Sequence, residues 1–281
     1  MQLGYNTNGL AHHSLPAAIE LLAGLGYRSI AITLDHGCLD PFAEDFKQQL
    51  MRTAALLAKH NMRSVIETGA RFLLDPREKH EPTLISGDEL GRLRRIDFLQ
   101  RAIDTAAALG SDCVSLWSGV NRHHVGRDQA MSHLASGLRR VLEYAERRDV
   151  TLGFEPEPGM LIDTMASFDE LAQQLDSPRL GLTLDIGHLH CLGETPIADV
   201  IRRWGDMLVN VHIEDMRSGV HEHLMFGEGE IDFPPIIAAL AEVGYDGGVH
   251  VELSRHSHDG PNAAARAFAF LAPLIARETR E

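Results

Sequence analysis

Thr151-Leu152-Gly153-Phe154-Glu155 opens a segment that ends in Leu180-Gly181-Leu182-Thr183-Leu184-Asp185, and Ser167-Phe168-Asp169-Glu170-Leu171-Ala172-Gln173-Gln174-Leu175 lies between them. Both flanking runs are short, apolar and closed by a carboxylate, as a strand buried on both faces reads. In the middle, Phe168, Leu171 and Leu175 recur at helical spacing, and Ser167 precedes Asp169-Glu170 as a capping box does. Strand, helix, strand is the parallel β-α-β unit.

The same unit repeats along the chain. Strand candidates are 3–5, Ser29–Thr33, Arg63–Glu67, 113–117, 151–155, Leu180–Asp185, Leu208–Ile213 and 248–253. Helix candidates fall at Leu15–Leu25, 43–59, 91–109, 129–148, 167–175, Ile197–Trp204, Phe233–Glu242 and 262–275, with Gly110 and Gly244 where two of them stop. Eight strand–helix pairs in 281 residues predict a single (β/α)8 TIM barrel over 1–281, a fold for which about 250 residues is typical. The rival is an open doubly wound sheet. Against it, no G-x-G-x-x-G follows the first strand, and polar residues close several strands rather than meeting at one crevice. No low-complexity linker marks a domain boundary. The longest irregular stretch, 68–88, follows the third strand and is expected to overhang the barrel mouth.

Composition narrows the function. The chain is 44% hydrophobic and 23% charged, as a soluble globular protein is. Its 40 acidic against 26 basic residues give a net charge of -14, which argues against a nucleic-acid or anionic-membrane partner. Cys38, Cys113 and Cys191 are odd in number and form no C-x-x-C pair, so no disulfide framework or thiolate zinc site is expected, and the expected compartment is cytoplasmic. Residues 1–14 lack a basic start and an apolar core, so no leader is expected, and no run approaches the roughly 20 apolar residues of a membrane helix.

The carboxy ends of strands five to eight carry Glu155, Asp185, His212 and Glu252, and in a barrel all four can point into one mouth. Three carboxylates and one imidazole are a mostly hard donor set, suited to one divalent metal ion: Mn²⁺ first, with Mg²⁺, Co²⁺ and Zn²⁺ as alternatives. Singly, each acid reads equally as a helix cap or an arginine partner; four on successive strands favour a site.

Glu155-Pro156-Glu157-Pro158, Leu184-Asp185-Ile186-Gly187-His188, Val211-His212-Ile213-Glu214-Asp215, Phe226-Gly227-Glu228-Gly229-Glu230-Ile231-Asp232 and Val251-Glu252 stand in that order. Together they resemble the sugar isomerase/epimerase family with the xylose-isomerase-like barrel, over nearly the whole chain. The resemblance implies a metal held by Glu155, Asp185, His212 and Glu252, with Glu155 and Glu252 doubling as catalytic acid and base. A proton beside a carbonyl is too weakly acidic for a free carboxylate to remove, and a metal on the carbonyl and hydroxyl oxygens stabilises the resulting enediolate. One glutamate then takes the proton and the other returns it. Return to the opposite face makes an epimerase, return to the neighbouring carbon an isomerase, and loss of hydroxide a dehydratase. Ketoses, keto-polyols and keto-glycosides are the implied substrates. A metal-dependent lyase on an inosose or dehydroshikimate-like compound is one alternative, and a non-catalytic sugar-binding barrel is another.

Substrate contacts implied by the same resemblance are His188, Trp117, Arg217, His223 and Glu157. Each also has a structural reading: Trp117 packs well under a barrel rim, the spacing of Arg217 is imperfect, and Pro156 and Pro158 simply fix the loop around Glu157. Arg71, in the 68–88 loop with Lys79 and His80, reads either as a contact for an anionic substituent or as a locally paired surface charge. His190 is a weaker candidate, and His123-His124 is either a further ligand pair or a plain surface pair. The endonuclease IV family shares the barrel and carries a histidine-rich multi-zinc site, but the acidity and the carboxylate-rich set oppose that reading. Lys47, Lys59 and Lys79 occupy no convincing strand end, so proton transfer is preferred to a hydride shift. A homo-oligomer is compatible with such barrels.

Overall fold

The structure, a computed structural model, describes residues 1–122 and 125–278, so the His123-His124 pair lies outside the described residues. In chain order the strands are β1 (Gln2–Asn6), β2 (Ser29–Thr33), β3 (Arg63–Glu67), β4 (Val114–Leu116), β5 (Leu152–Phe154), β6 (Leu180–Asp185), β7 (Leu208–Ile213), β8 (Asp215–Arg217), β9 (Val220–Leu224) and β10 (Gly248–Val251). The helices are α1 (Leu15–Leu25), α2 (Phe46–His60), α3 (Glu89–Leu109), α4 (Arg127–Arg148), α5 (Met165–Leu175), α6 (Ile186–Leu192), α7 (Ile197–Trp204), α8 (Phe233–Glu242) and α9 (Gly260–Glu278). Eight strands close a barrel in the order β1-β10-β7-β6-β5-β4-β3-β2, every pairing parallel, with β8 and β9 as an antiparallel hairpin outside it. The fold is the TIM barrel that the repeating units predict.

Most elements match the sequence reading to within a few residues, and the departures have local causes. Helix α5 starts at Met165 rather than Ser167, because Thr164 is its cap: Thr164 Oγ1 accepts from the Ser167 amide, and Ser167 Oγ accepts from the Thr164 amide at 3.0 Å. Serine at N3 thus closes the reciprocal pair that glutamate usually closes, and Met165 is buried in the first turn. Helix α6 and the β8–β9 hairpin are not foreseen in the sequence. Asp185 ends β6 and caps α6 in the same stroke, its Oδ1 accepting from the His188 amide at 2.8 Å. Gly193, at φ 73°, ends that helix in the left-handed conformation.

Apolar faces of the helices pack on the barrel and on each other. Tyr27 shows how the ring of helices closes: its hydroxyl donates to the Ala264 carbonyl at 2.8 Å, and its ring meets Phe268 edge-on at 5.1 Å, which ties α9 to the α1–β2 turn. Among the described residues no helix is long and apolar enough to cross a membrane, and all three cysteines are free thiols.

Candidate metal centre

Parallel pairing sets the site. Asp185 lies level with His212 across β6–β7. Just past the strand ends, the Glu155 amide donates to the Leu116 carbonyl at 2.8 Å and the Glu252 amide to the Ile213 carbonyl at 3.1 Å, so barrel geometry still governs where both glutamates start. His212 Nδ1 stands 3.1 Å from Glu155 Oε1, 3.0 Å from Glu252 Oε2 and 4.0 Å from Asp185 Oδ2. Ligand atoms of all four residues lie within 4.8 Å of one another.

These residues fit a divalent ion. Asp185 Oδ2 is buried and has no hydrogen-bond partner, which is costly for a carboxylate unless a cation answers it. Electrostatics say the same. Burial pushes Glu155 up to about 8 against the pull of His212. Burial also works to raise Glu252, but the charge of His212 and the hydrogen bond to it prevail and hold Glu252 below its ordinary range. On Asp185 burial is outweighed chiefly by His188, and the carboxyl is lowered. Burial would strip the proton from His212, yet Glu67, Glu155 and Glu252 hold it well above the usual value. The centre keeps positive charge among three carboxylates.

Two further residues aim the ligands. Glu67, ending β3, sits with Oε1 2.9 Å from His212 Nε2 and also accepts from Asn210 Nδ2 at 3.1 Å. Asn8, after β1, donates to Glu252 Oε1 at 2.8 Å.

Above the centre lies a cavity of about 340 Å³, of a size for a monosaccharide. Glu155, His212 and Glu252 form part of its wall, together with Trp117, Glu157, His223 and Arg71. Gly69, Lys79 and His80 also line it, so the 68–88 loop overhangs the mouth. Arg71 is half-exposed and paired with Asp35 at 2.9 Å. Trp117 lies over the buried Arg95 guanidinium at 4.6 Å and meets His80 edge-on at 5.4 Å. Glu157 is half-buried, and burial raises its carboxyl well above the usual range. His188 is buried beside the carboxylates, 3.8 Å from Glu155 and 3.7 Å from Asp185, behind the cavity wall rather than on it. Arg217 is exposed, donates to the Glu228 carbonyl at 3.1 Å and stands outside the cavity. His190 is half-buried, 3.7 Å from Glu230, and also outside.

The profile of the xylose isomerase-like TIM barrel family matches residues 19–274. This chain belongs to that family. L-ribulose-5-phosphate 3-epimerase UlaE of Salmonella paratyphi C is 27% identical over 262 residues, covering 91% of this chain and 89% of UlaE. Inosose dehydratase of Lacticaseibacillus casei is 31% identical over 142 residues, 44% of this chain and 47% of the relative. Among solved structures, D-allulose 3-epimerase from Methylomonas sp. in complex with D-allulose superposes with a TM-score of 0.76 at 21% identity, over 97% of this chain and 96% of that one. The IolI protein with a bound zinc atom gives 0.79 at 21% identity, over 99% of both chains. At such identities the superpositions speak for the fold alone.

Within this xylose isomerase-like barrel several site residues carried little signal in the sequence. Glu67, ending strand three, and Asn8, just after strand one, reach the centre from parts of the chain where the motifs are silent. His221 was legible in principle: His221-Glu222-His223 puts two imidazoles on one face of a strand, provided the segment is known to be a strand. Asp215 holds that hairpin in place, its carboxylate accepting from the amides of Gly227 at 2.8 Å, Gly229 at 3.0 Å and Ile231 at 3.1 Å. The glycine-rich loop serves that carboxylate.

Proposed function

We propose that this protein is a divalent-metal-dependent sugar isomerase/epimerase that transfers a proton next to a carbonyl through an enediolate, on a ketose, keto-polyol or keto-glycoside. One observation carries the reading: the carboxylates of Glu155 and Glu252 approach the same imidazole nitrogen, at 3.1 and 3.0 Å, from strands three places apart in the barrel ring, and both line the cavity. A substrate carbon seated there is flanked by two carboxylates. One removes the proton and the other delivers it. Asp185 and His212 complete the ligand set, and a bound Mn²⁺, with Mg²⁺, Co²⁺ or Zn²⁺ as alternatives, supplies Lewis-acid stabilisation of the developing oxyanion. Trp117 offers an aromatic face, while Glu157 and His223 offer polar contacts on the wall. The epimerase and dehydratase relatives support an enzyme of this group, and free thiols suit a cytoplasmic setting.

The inosose dehydratase match favours a second reading, a lyase with the same proton abstraction followed by loss of hydroxide. One experiment tests both. Proton NMR in D₂O, with Mn²⁺-loaded protein and a panel of ketoses, ketose phosphates, inososes and 3-keto-glycosides, should show deuterium entering beside the carbonyl. An inverted product identifies the epimerase, a shifted carbonyl the isomerase and a dehydrated product the lyase. Bound sugar without exchange or turnover overturns both in favour of a non-catalytic binding barrel.

A further inference from the structure

The cavity over the metal centre has a side recess. It lies between residues 7–14, which follow β1, and the turn after β2, and its volume is about 170 Å³. Asn8, Thr33 and Arg71 line both spaces, so the two meet at those side chains. We propose that this recess is a second sugar subsite and that the substrate is a keto-glycoside: the ring bearing the ketone lies over the metal centre, and a neutral glycosyl ring lies in the recess. The inference rests on the proton-transfer reading for the fate of the first ring, and it selects one of the three substrate classes which that reading leaves open.

Asn8 stands at the junction. Its Nδ2 donates to Glu252 Oε1 at 2.8 Å, while its buried Oδ1 has no hydrogen-bond partner. One amide thus touches the metal centre and carries an unanswered acceptor at the seam of the two spaces, where the hydroxyls beside a glycosidic linkage would pass. Arg71 stands there too. Among the described residues its side chain spends only Nε, on Asp35 Oδ2 at 2.9 Å, and keeps both terminal amino groups for hydroxyl oxygens. The walls are held in place before any ligand arrives. Asp35 and Cys38 exchange both amide–carbonyl bonds, at 3.1 and 3.0 Å, in a tight turn that Gly37 permits at φ 87°. On the facing rim Ser257 Oγ donates to the Asn8 carbonyl at 3.0 Å and accepts from the Ala11 amide at 3.1 Å. Such preorganisation lowers the cost of binding.

The chemistry of the recess selects a neutral ring over an anion. Leu10, Ala11 and Ala18 give it a hydrocarbon side, and Asp35 and Arg71 a polar one. A pyranose is divided in the same way, with C–H bonds on its faces and hydroxyls at its edge, and a mostly apolar wall with a few placed polar groups suits it. The charge of Arg71 is already answered by Asp35. To clasp a phosphate, Arg71 would have to leave that carboxylate, which would then face the anion. Asp35 is in turn fixed where it stands, since its Oδ1 accepts from the His36 amide at 2.8 Å. Lys79 lines the main cavity but not the recess, so it brings no further positive charge there.

The test compares 3-keto-glucose with 3-keto-cellobiose, its ketone in the non-reducing ring, on the full chain loaded with Mg²⁺. Saturation-transfer NMR reads affinity and ring contacts, and deuterium exchange in D₂O reads proton abstraction. The disaccharide should bind more tightly by about tenfold or more, with saturation reaching both rings. Ala11→Trp, at an exposed position on the rim, fills the recess and should erase that preference. If this variant loses its circular dichroism, Ala11→Leu replaces it and should reduce the preference in the same direction. Equal affinities, saturation confined to the ring with the ketone, or a preference that the rim variants leave intact overturns the subsite. Tighter binding of 3-keto-glucose 6-phosphate than of the disaccharide, lost in Arg71→Met, overturns it in favour of an anion site. Failure of the proton-transfer reading looks different. No deuterium then enters either sugar, while a disaccharide preference erased by Ala11→Trp keeps the subsite standing in a binding barrel.

Discussion

Glu67 and His212 meet across the barrel, carboxylate Oε1 to imidazole Nε2 at 2.9 Å, and this contact decides which nitrogen faces the other three ligands. A carboxylate accepts only, so Nε2 keeps a proton against Glu67, and Nδ1 is the nitrogen left to face Glu155 and Glu252 and to give up its own proton when a cation binds. The protons behind it follow in series. Asn210 Nδ2 donates to Glu67, Asn210 Oδ1 accepts from His250 Nδ1 at 2.8 Å, and Ser29 Oγ donates to His250 Nε2 at 2.8 Å. Glu67→Gln should weaken Mn²⁺ binding by about 10–100-fold while the metal-free protein unfolds much as wild type does. Competition titration against a chelator measures this, and unchanged affinity would remove Glu67 from the positioning role.

The same series makes a prediction about acid. His250 is buried and neutral, its pKa lowered by burial to about 3, against about 6.5 in the unfolded chain. Between those values the unfolded state binds the extra proton, so stability is lost as pH falls from about 6.5 towards 3, by about 1.4 kcal/mol per unit for one such group. Urea unfolding of metal-free protein at several pH values should give a slope for wild type about one proton steeper than for His250→Gln. His188 also titrates low, at about 4, but is present in both proteins and cancels in the comparison. Equal slopes would mean that His250 is not held neutral.

What the sequence disclosed follows from the kind of signal each feature leaves. The barrel was legible because burial on both faces makes every strand a short apolar run, as Leu180–Asp185 shows, and each run is followed by a helical period. The four ligands were legible because barrel strands present their carboxy ends together. Glu67 reads in the sequence only as the end of β3, since its partner His212 lies 145 residues away and no local pattern joins them. The β8–β9 hairpin was missed because its strands alternate polar residues on both faces, as Val220–Leu224 does, and no apolar face announces them.

Gly187 offers a mechanical test of how tightly α6 is seated. A Cβ there would run into Glu214 Oε1 and come within 2.7 Å of Met216 Cε. Glu214 is fully buried and has little room to yield. Gly187→Ala should therefore destabilise the protein by about 1–3 kcal/mol, as overpacking of a filled interior does. The urea midpoint should drop with the slope unchanged, and an unshifted midpoint would show that the α6–β8 contact relaxes freely.

Two glutamates on one substrate carbon predict an asymmetry that a single base cannot produce. If Glu155 serves one face and Glu252 the other, each epimer loses its proton to a different carboxylate. At saturating Mn²⁺, Glu155→Gln should then abolish deuterium exchange from one epimer and spare it from the other, and Glu252→Gln should do the reverse. Net epimerisation should fall by about 10²–10⁴-fold in both, with KM changed far less, because each substitution removes a proton carrier and keeps a neutral oxygen of the same shape. Metal content of each variant is measured alongside, since both residues belong to the ligand set. Exchange lost from both epimers in one variant and from neither in the other would assign both transfers to a single carboxylate, and the second glutamate would be left as a ligand alone.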